Sequence, residues 1–114
     1  MYKIVITNHF KRQIKRLIKR NRSLKGVLMS SLSNFSKQTA ISIGEDIYKI
    51  RLQRNNKGKS GGYRLYIYLL EIEALISPVC IYSKSEKENI SISELAEHVD
   101  RIKEELNVFY LKGE

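Results

Sequence analysis

The chain has 114 residues, 42% of them hydrophobic and 29% charged, with a net charge of +9. That size and balance fit one globular domain with a modest core, and exclude a disordered tail or a two-domain protein. No apolar run nears the roughly 18 residues of a membrane-spanning helix, and Met1 to Thr7 lack the apolar segment and cleavage site of a signal peptide. With neither a myristoylation signal nor a prenylation box, a cytoplasmic protein with no membrane partner is expected.

The charge is unevenly placed. Residues 1–64 carry sixteen Lys/Arg against two acids, Glu45 and Asp46, whereas the remaining fifty carry five against ten. A basic block this lopsided favours a polyanionic partner through counterion release and steering. The single cysteine, Cys80, sits in the apolar run Val79-Cys80-Ile81; it allows neither an internal disulfide nor a thiolate metal site and reads as a small core residue.

Tyr2 to Thr7 alternates polar and β-branched residues and predicts a first strand, with Asn8 as the N-cap of a following helix. In that helix Phe10, Ile14, Leu17 and Ile18 form one apolar stripe, and Lys11, Arg12, Lys15, Arg16, Lys19 and Arg20 fill the other faces. Ser23 caps a second helix whose Leu24, Val27, Leu28, Leu32 and Phe35 repeat at the same spacing, so the two should pack as an antiparallel hairpin. Asp46 to Leu52 alternates Tyr48, Ile50 and Leu52 with Ile47, Lys49 and Arg51, a strand with one apolar and one largely cationic side.

Residues 53–62 are glycine-rich and basic and read as a mobile loop. The strand Tyr63 to Leu70 puts Tyr63, Leu65, Ile67 and Leu69 on one face and Arg64, Tyr66 and Tyr68 on the other. Glu71 to Ala74 makes a turn, and Leu75 to Ser83 a further strand in which Pro78 implies an edge, a bulge or a late start. Ser91-Ile92-Ser93-Glu94 is a capping box opening a C-terminal helix, residues 91–108, with Leu95, Val99, Ile102 and Leu106 as its stripe. The expected fold is α+β, in the order β-α-α-β-β-β-α: one domain, 1–114, with a small, mainly antiparallel sheet. The helical hairpin should cover one sheet face and leave the other partly open beside the last helix.

On that open face the pattern brings Lys49 and Arg51 near Arg64, with Lys57 and Lys59 on the loop between them and Tyr66 and Tyr68 following. Cations hold phosphates and aromatic rings stack on bases, so the set describes a groove for single-stranded RNA. The alternative is a solvated basic strand with its tyrosines packed beneath the last helix. His9 and His98 lie at opposite ends of the chain and read as ordinary helix residues. Gly58-Lys59-Ser60 is not a P-loop, since Gln53 stands where that motif needs glycine. No cofactor and no metal are expected, and RNA cleavage here would rest on crowded cations.

Gly58-Lys59-Ser60-Gly61-Gly62-Tyr63-Arg64, the aliphatic and tyrosine strand after it, and Ile81-Tyr82-Ser83-Lys84-Ser85-Glu86-Lys87-Glu88-Asn89-Ile90-Ser91 resemble the RelE/HigB toxins of bacterial type II toxin–antitoxin modules. The resemblance spans most of the chain in element order. It implies a RelE/ParE-like fold and a ribosome-dependent mRNA interferase that cuts mRNA in the ribosomal A site. Its partners would be a cognate antitoxin, the ribosome and mRNA. By position, Arg64 matches the arginine at the scissile phosphate, Lys49 and Arg51 the paired strand cations, and Lys84 and Lys87 the cations near the leaving group. Either Lys49 or a loop lysine, Lys57 or Lys59, would serve as base. Tyr82 is implied to stack on a base, and Ser91 stands where some members carry a tyrosine. The basic helix, through Lys11, Arg12, Lys15, Arg16 and Lys19, would grip ribosomal RNA. Two other readings stay open on the residues alone: a ParE-like inhibitor of gyrase, and an RNA- or ribosome-binding module that never cuts.

Overall fold

A computed structural model describes residues 1–52 and 62–110. The chain runs β1 (Lys3–Ile4), α1 (Asn8–Arg20), α2 (Leu24–Ser33), β2 (Ile41–Gly44), β3 (Ile47–Leu52), β4 (Tyr63–Leu70), a single 3-10 turn (Glu71–Glu73), β5 (Leu75–Ser83) and α3 (Ile92–Phe109). The strands form one sheet in the order β1-β5-β4-β3-β2, antiparallel except where β1 lies parallel to β5.

The alternation read along β3 and β4 holds in three dimensions and divides the core in two. On one face α1 and α2 bury Phe10, Ile14, Leu17, Leu24, Leu28 and Leu32 against Leu52, Tyr63, Leu65, Ile67, Leu69 and Ile76. On the other, Ile102 and Leu106 of α3 pack on Ile47, Tyr66, Tyr68, Leu75, Val79 and Tyr82. Phe35 leaves α2 but keeps to the first face, its ring edge-on to Tyr2 and Tyr48 at 5.8 and 5.6 Å.

Three local departures from the expected elements have physical causes. The β1 ladder is confined to Lys3–Ile4, and the N-cap of α1 is Thr7: its backbone is extended, and its buried hydroxyl, not the exposed side chain of Asn8, accepts from the Phe10 N–H at 3.2 Å. The capping box of α3 is half made, for Ser91 Oγ accepts from Glu94 N at 3.1 Å while the Glu94 carboxylate is drawn to Lys87.

The third departure is an additional strand, β2, on the outer edge. All four of its residues are exposed, so burial leaves no alternating signature, and its turn to β3 places Glu45 and Asp46 at φ +53° and +66°. That is the left-handed pair a two-residue hairpin needs, built without the usual Asn-Gly. On β5 the bulge that Pro78 allows is present. Pro78 stands opposite Ile67 at a bulge, Tyr66 pairing with Cys80 and leaving Val79 extra. Past the end of β1 the Gln13 amide lies along β5, donating to Val79 O at 3.0 Å and accepting from Ile81 N at 3.2 Å. A side chain thereby occupies the position of a missing strand and closes an edge that would otherwise invite pairing.

Candidate catalytic face and nucleic-acid interface

Register alone assembles the basic row. Arg51 of β3 is opposite Arg64 of β4, which is opposite Tyr82 of β5; one step along, Lys49 is opposite Tyr66, which is opposite Cys80. Directly opposed side chains stand about 5 Å apart at Cβ, so Arg51 and Arg64 form one cationic pair and Lys49 lies two residues from it on the same face. Arg51 is exposed, and Lys49 and Arg64 are half-buried. Among the described residues none of the three makes an ion pair. Like charges held this close repel unless an anion joins them, and the sheet supplies the rigid frame that holds them.

The other ends of the set are fixed by backbone. Gly62 O accepts from Lys84 N at 3.1 Å, which places the exposed Lys84 beside the start of β4. Gly62 itself has φ +110°, and a Cβ there would sit 2.9 Å from Leu52 O, so only glycine passes this point between β3 and β4. Lys87 sits 5.6 Å above the Tyr82 ring and bonds Glu94 Oε2 at 2.6 Å. Lys57 and Lys59 lie outside the described residues, as does most of the 53–62 stretch.

The tyrosines follow the alternative of packing beneath the last helix and do not form an open stacking platform. Tyr66, Tyr68 and Tyr82 are only 6%, 9% and 8% exposed, packed with Ile102 and Leu106 of α3. Their rings are core of the α3 contact, and Lys103 closes over Tyr68 at 5.2 Å. Tyr66 and Tyr82 stack on each other at 6.3 Å instead of on a base. Burial, reinforced by the adjoining Tyr82 phenol, pushes the Tyr66 hydroxyl up to about 12, so it stays protonated and can donate but not abstract a proton. Burial likewise raises the Cys80 thiol to about 12, which makes it an inert core residue.

The basic residues of α1 split into two sets. Arg12 and Arg16 line a groove of about 420 Å³ between α1 and the turn from β5 to α3, with His9, His98, Tyr82 and Lys87. Lys11, Lys15 and Lys19 are exposed elsewhere on the helix, and Arg20 pairs with Glu86 at 2.9 Å.

The histidines, read as unrelated, are bonded to each other: His9 Nε2 and His98 Nδ1 are 2.8 Å apart. Beside them Glu105 caps α1, its two carboxylate oxygens accepting from Asn8 N and His9 N at 2.8 and 2.9 Å. A carboxylate on a helix N-terminus complements the exposed N–H groups and the helix dipole. These partners are 89 to 97 residues apart in sequence, so no local pattern announces them.

A two-helix hairpin and a C-terminal helix on opposite faces of a five-stranded, mostly antiparallel open sheet define a small α+β protein with a cationic row at one end of one face. The family model described as the RelE toxin of the RelE/RelB toxin–antitoxin system matches residues 3–109. The chain belongs to that family and is the toxin component of a toxin–antitoxin system, with an antitoxin as partner and the ribosome as target. Ribosome-dependent mRNA cleavage is the known activity of RelE. Among solved structures the chain is similar to a mutant of the E. coli toxin RelE in its free state, at 19% identity and a TM-score of 0.52, over 86% of this chain and 97% of that one. No curated protein sequence matches.

Proposed function

We propose that this toxin cuts mRNA in the ribosomal A site by attack of a ribose 2′-hydroxyl on its own 3′-phosphate. The observation that carries this reading is the register of Arg51, Arg64 and Lys49: three cations on one rigid face, none neutralised by an acid among the described residues. Arg64 and Arg51 would hold the scissile phosphate and stabilise the charge gathering on its non-bridging oxygens. Lys49, or Lys57 or Lys59 of the loop, would accept the 2′-hydroxyl proton. The new bond is 2′-oxygen to phosphorus and the broken one phosphorus to 5′-oxygen, leaving a cyclic phosphate and a 5′-hydroxyl. Lys84, exposed beside Gly62, is better placed than Lys87 to assist the departing oxygen, because Lys87 is engaged by Glu94.

No metal or cofactor enters this scheme, and the ribosome would supply the orientation of the mRNA. The setting would be the cytoplasm; no helix among the described residues is long and apolar enough to cross a membrane. Lys11, Lys15 and Lys19 remain available to ribosomal RNA on the outer side of α1.

Primer extension on a defined mRNA in a purified translation system, with and without ribosomes, tests the reading. Cuts in the A-site codon that need ribosomes are expected, with Arg64→Ala slowing them by about 10²–10³-fold, the size of a lost transition-state donor. Intact mRNA beside tight ribosome binding would replace the nuclease with a binding module.

A further inference from the structure

The groove between α1 and the β5–α3 turn is not used by the proposed cleavage chemistry, yet it is continuous with the face where that chemistry would occur. Tyr82 belongs to both: it is opposite Arg64 in the sheet and forms part of the groove floor. At about 420 Å³ the groove falls within the about 300–1,000 Å³ of ordinary small-ligand sites, ample for a nucleotide.

Its charge is arranged for an anion. The acids on its wall already have partners: Glu86 is held by Arg20 at 2.9 Å and Glu94 by Lys87 at 2.6 Å. Arg12 and Arg16, one helical turn apart and both exposed, make no ion pair among the described residues, so the groove keeps two guanidinium groups for an incoming ligand. Guanidinium forks match phosphate oxygens in geometry as well as charge.

We propose that this groove holds the backbone of single-stranded RNA running on from the cleavage face, with phosphates on Arg12 and Arg16 and a nucleotide crossing Tyr82. The proposal extends the reading of the cationic row as an RNA site. It gives α1 two separate tasks, Arg12 and Arg16 holding substrate while Lys11, Lys15 and Lys19 face the wider surroundings. A plain electrostatic attraction of a basic helix for RNA would make all five residues equivalent, whereas a groove makes two of them special.

Binding can be read without cutting by fluorescence anisotropy of a short labelled RNA whose 2′-hydroxyls are methylated. The R12Q/R16Q variant is compared with R22Q/K25Q, which removes the same charge from exposed positions after α1 and on α2, outside the groove, and thermal melts of both check that each folds. R12Q/R16Q is expected to weaken binding about 10-fold or more and to lower the salt slope by about 1.4, with R22Q/K25Q within about twofold of the parent. Equal losses in the two variants, or none in R12Q/R16Q, would overturn the proposal. The outcome is separable from the nuclease assay: if mRNA is never cut but R12Q/R16Q alone loses the RNA, the groove stands and the cleavage reading falls. Cutting that depends on Arg64 beside equal RNA affinity in all three proteins would do the reverse.

Discussion

The two faces of the sheet share strands but are finished differently. Under α1 and α2 the strands offer mostly aliphatic residues, with Leu65, Ile67 and Ile76 fully shielded. Under α3 the same strands offer tyrosines and, towards the Arg51–Arg64 end, cations that α3 does not cover. An aliphatic face can be sealed completely because nothing on it needs water. A face carrying Lys49, Arg51 and Arg64 can be sealed only up to the point where the charges begin, since burying unpaired cations is costly. Tyrosine suits the border, pairing a large apolar ring with a hydroxyl that tolerates the polar side.

The sharpest way to test this division is to open a cavity on each side. Phe10→Ala, on the hairpin side, removes a fully buried ring and should cost about 3–5 kcal/mol, seen as a lower midpoint in denaturant with the whole domain unfolding together. Ile102→Ala, on the α3 side, is expected to cost about 2–4 kcal/mol and to act more locally. Hydrogen exchange should then show α3 losing protection while β4 and β5 retain theirs. Uniform loss of protection in both variants would mean that the two cores act as one.

That division was legible in the residues, because a strand repeats every two positions and Tyr63-Arg64-Leu65-Tyr66-Ile67-Tyr68 writes both faces side by side. The Arg51–Arg64 pairing was legible for the same reason once the two strands were taken as neighbours. Sequence periodicity could say which tyrosines share a face with the cations, but could not choose between an open platform and packing beneath α3, because coverage depends on where that helix docks. The joins between layers left no signal at all. Gln13 completing the β5 edge, Glu105 capping α1 and the His9–His98 bond each unite residues more than sixty positions apart, and each is a polar residue of ordinary type. β2 went unread because an exposed four-residue edge strand has no burial pattern to display.

A smaller effect separates the backbone that frames the cationic row from the side chains that act in it. Gly62→Ala must move its new Cβ away from Leu52 O, and its φ of +110° suits only glycine, so a loss of about 1–3 kcal/mol is expected by thermal denaturation. Because Gly62 also receives the Lys84 N–H, mRNA cleavage should fall beyond what the lost folded fraction explains. Cleavage that tracks the folded fraction alone would show that Lys84 has no part at the leaving group.

The smallest expected effect concerns the seam where the two layers meet past the end of β1. Both histidines are held below the ordinary imidazole value of 6.5, in each case chiefly by burial; for His9 the neighbouring His98, Arg101 and Arg12 press the same way against Glu105. For His98, Glu94 and Glu97 oppose the shift while Lys87 and Arg101 assist it. A lowered folded value means that the unfolded chain binds protons first as pH falls. The seam's contribution is therefore complete above about 6.5 and drains away as pH drops from there toward the lowered folded values. Both rings keep solvent contact, so the total should stay below about 1 kcal/mol. The chain has only these two histidines, and histidine is the side chain whose ordinary value lies nearest the interval from about pH 6.5 to 5. Melting temperatures across that interval should fall in the parent and fall less steeply in His98→Gln, whose amide can still accept from His9 without taking up a proton. An equal slope in both proteins would place the proton uptake elsewhere and remove the pair from the account of how α3 is held to α1.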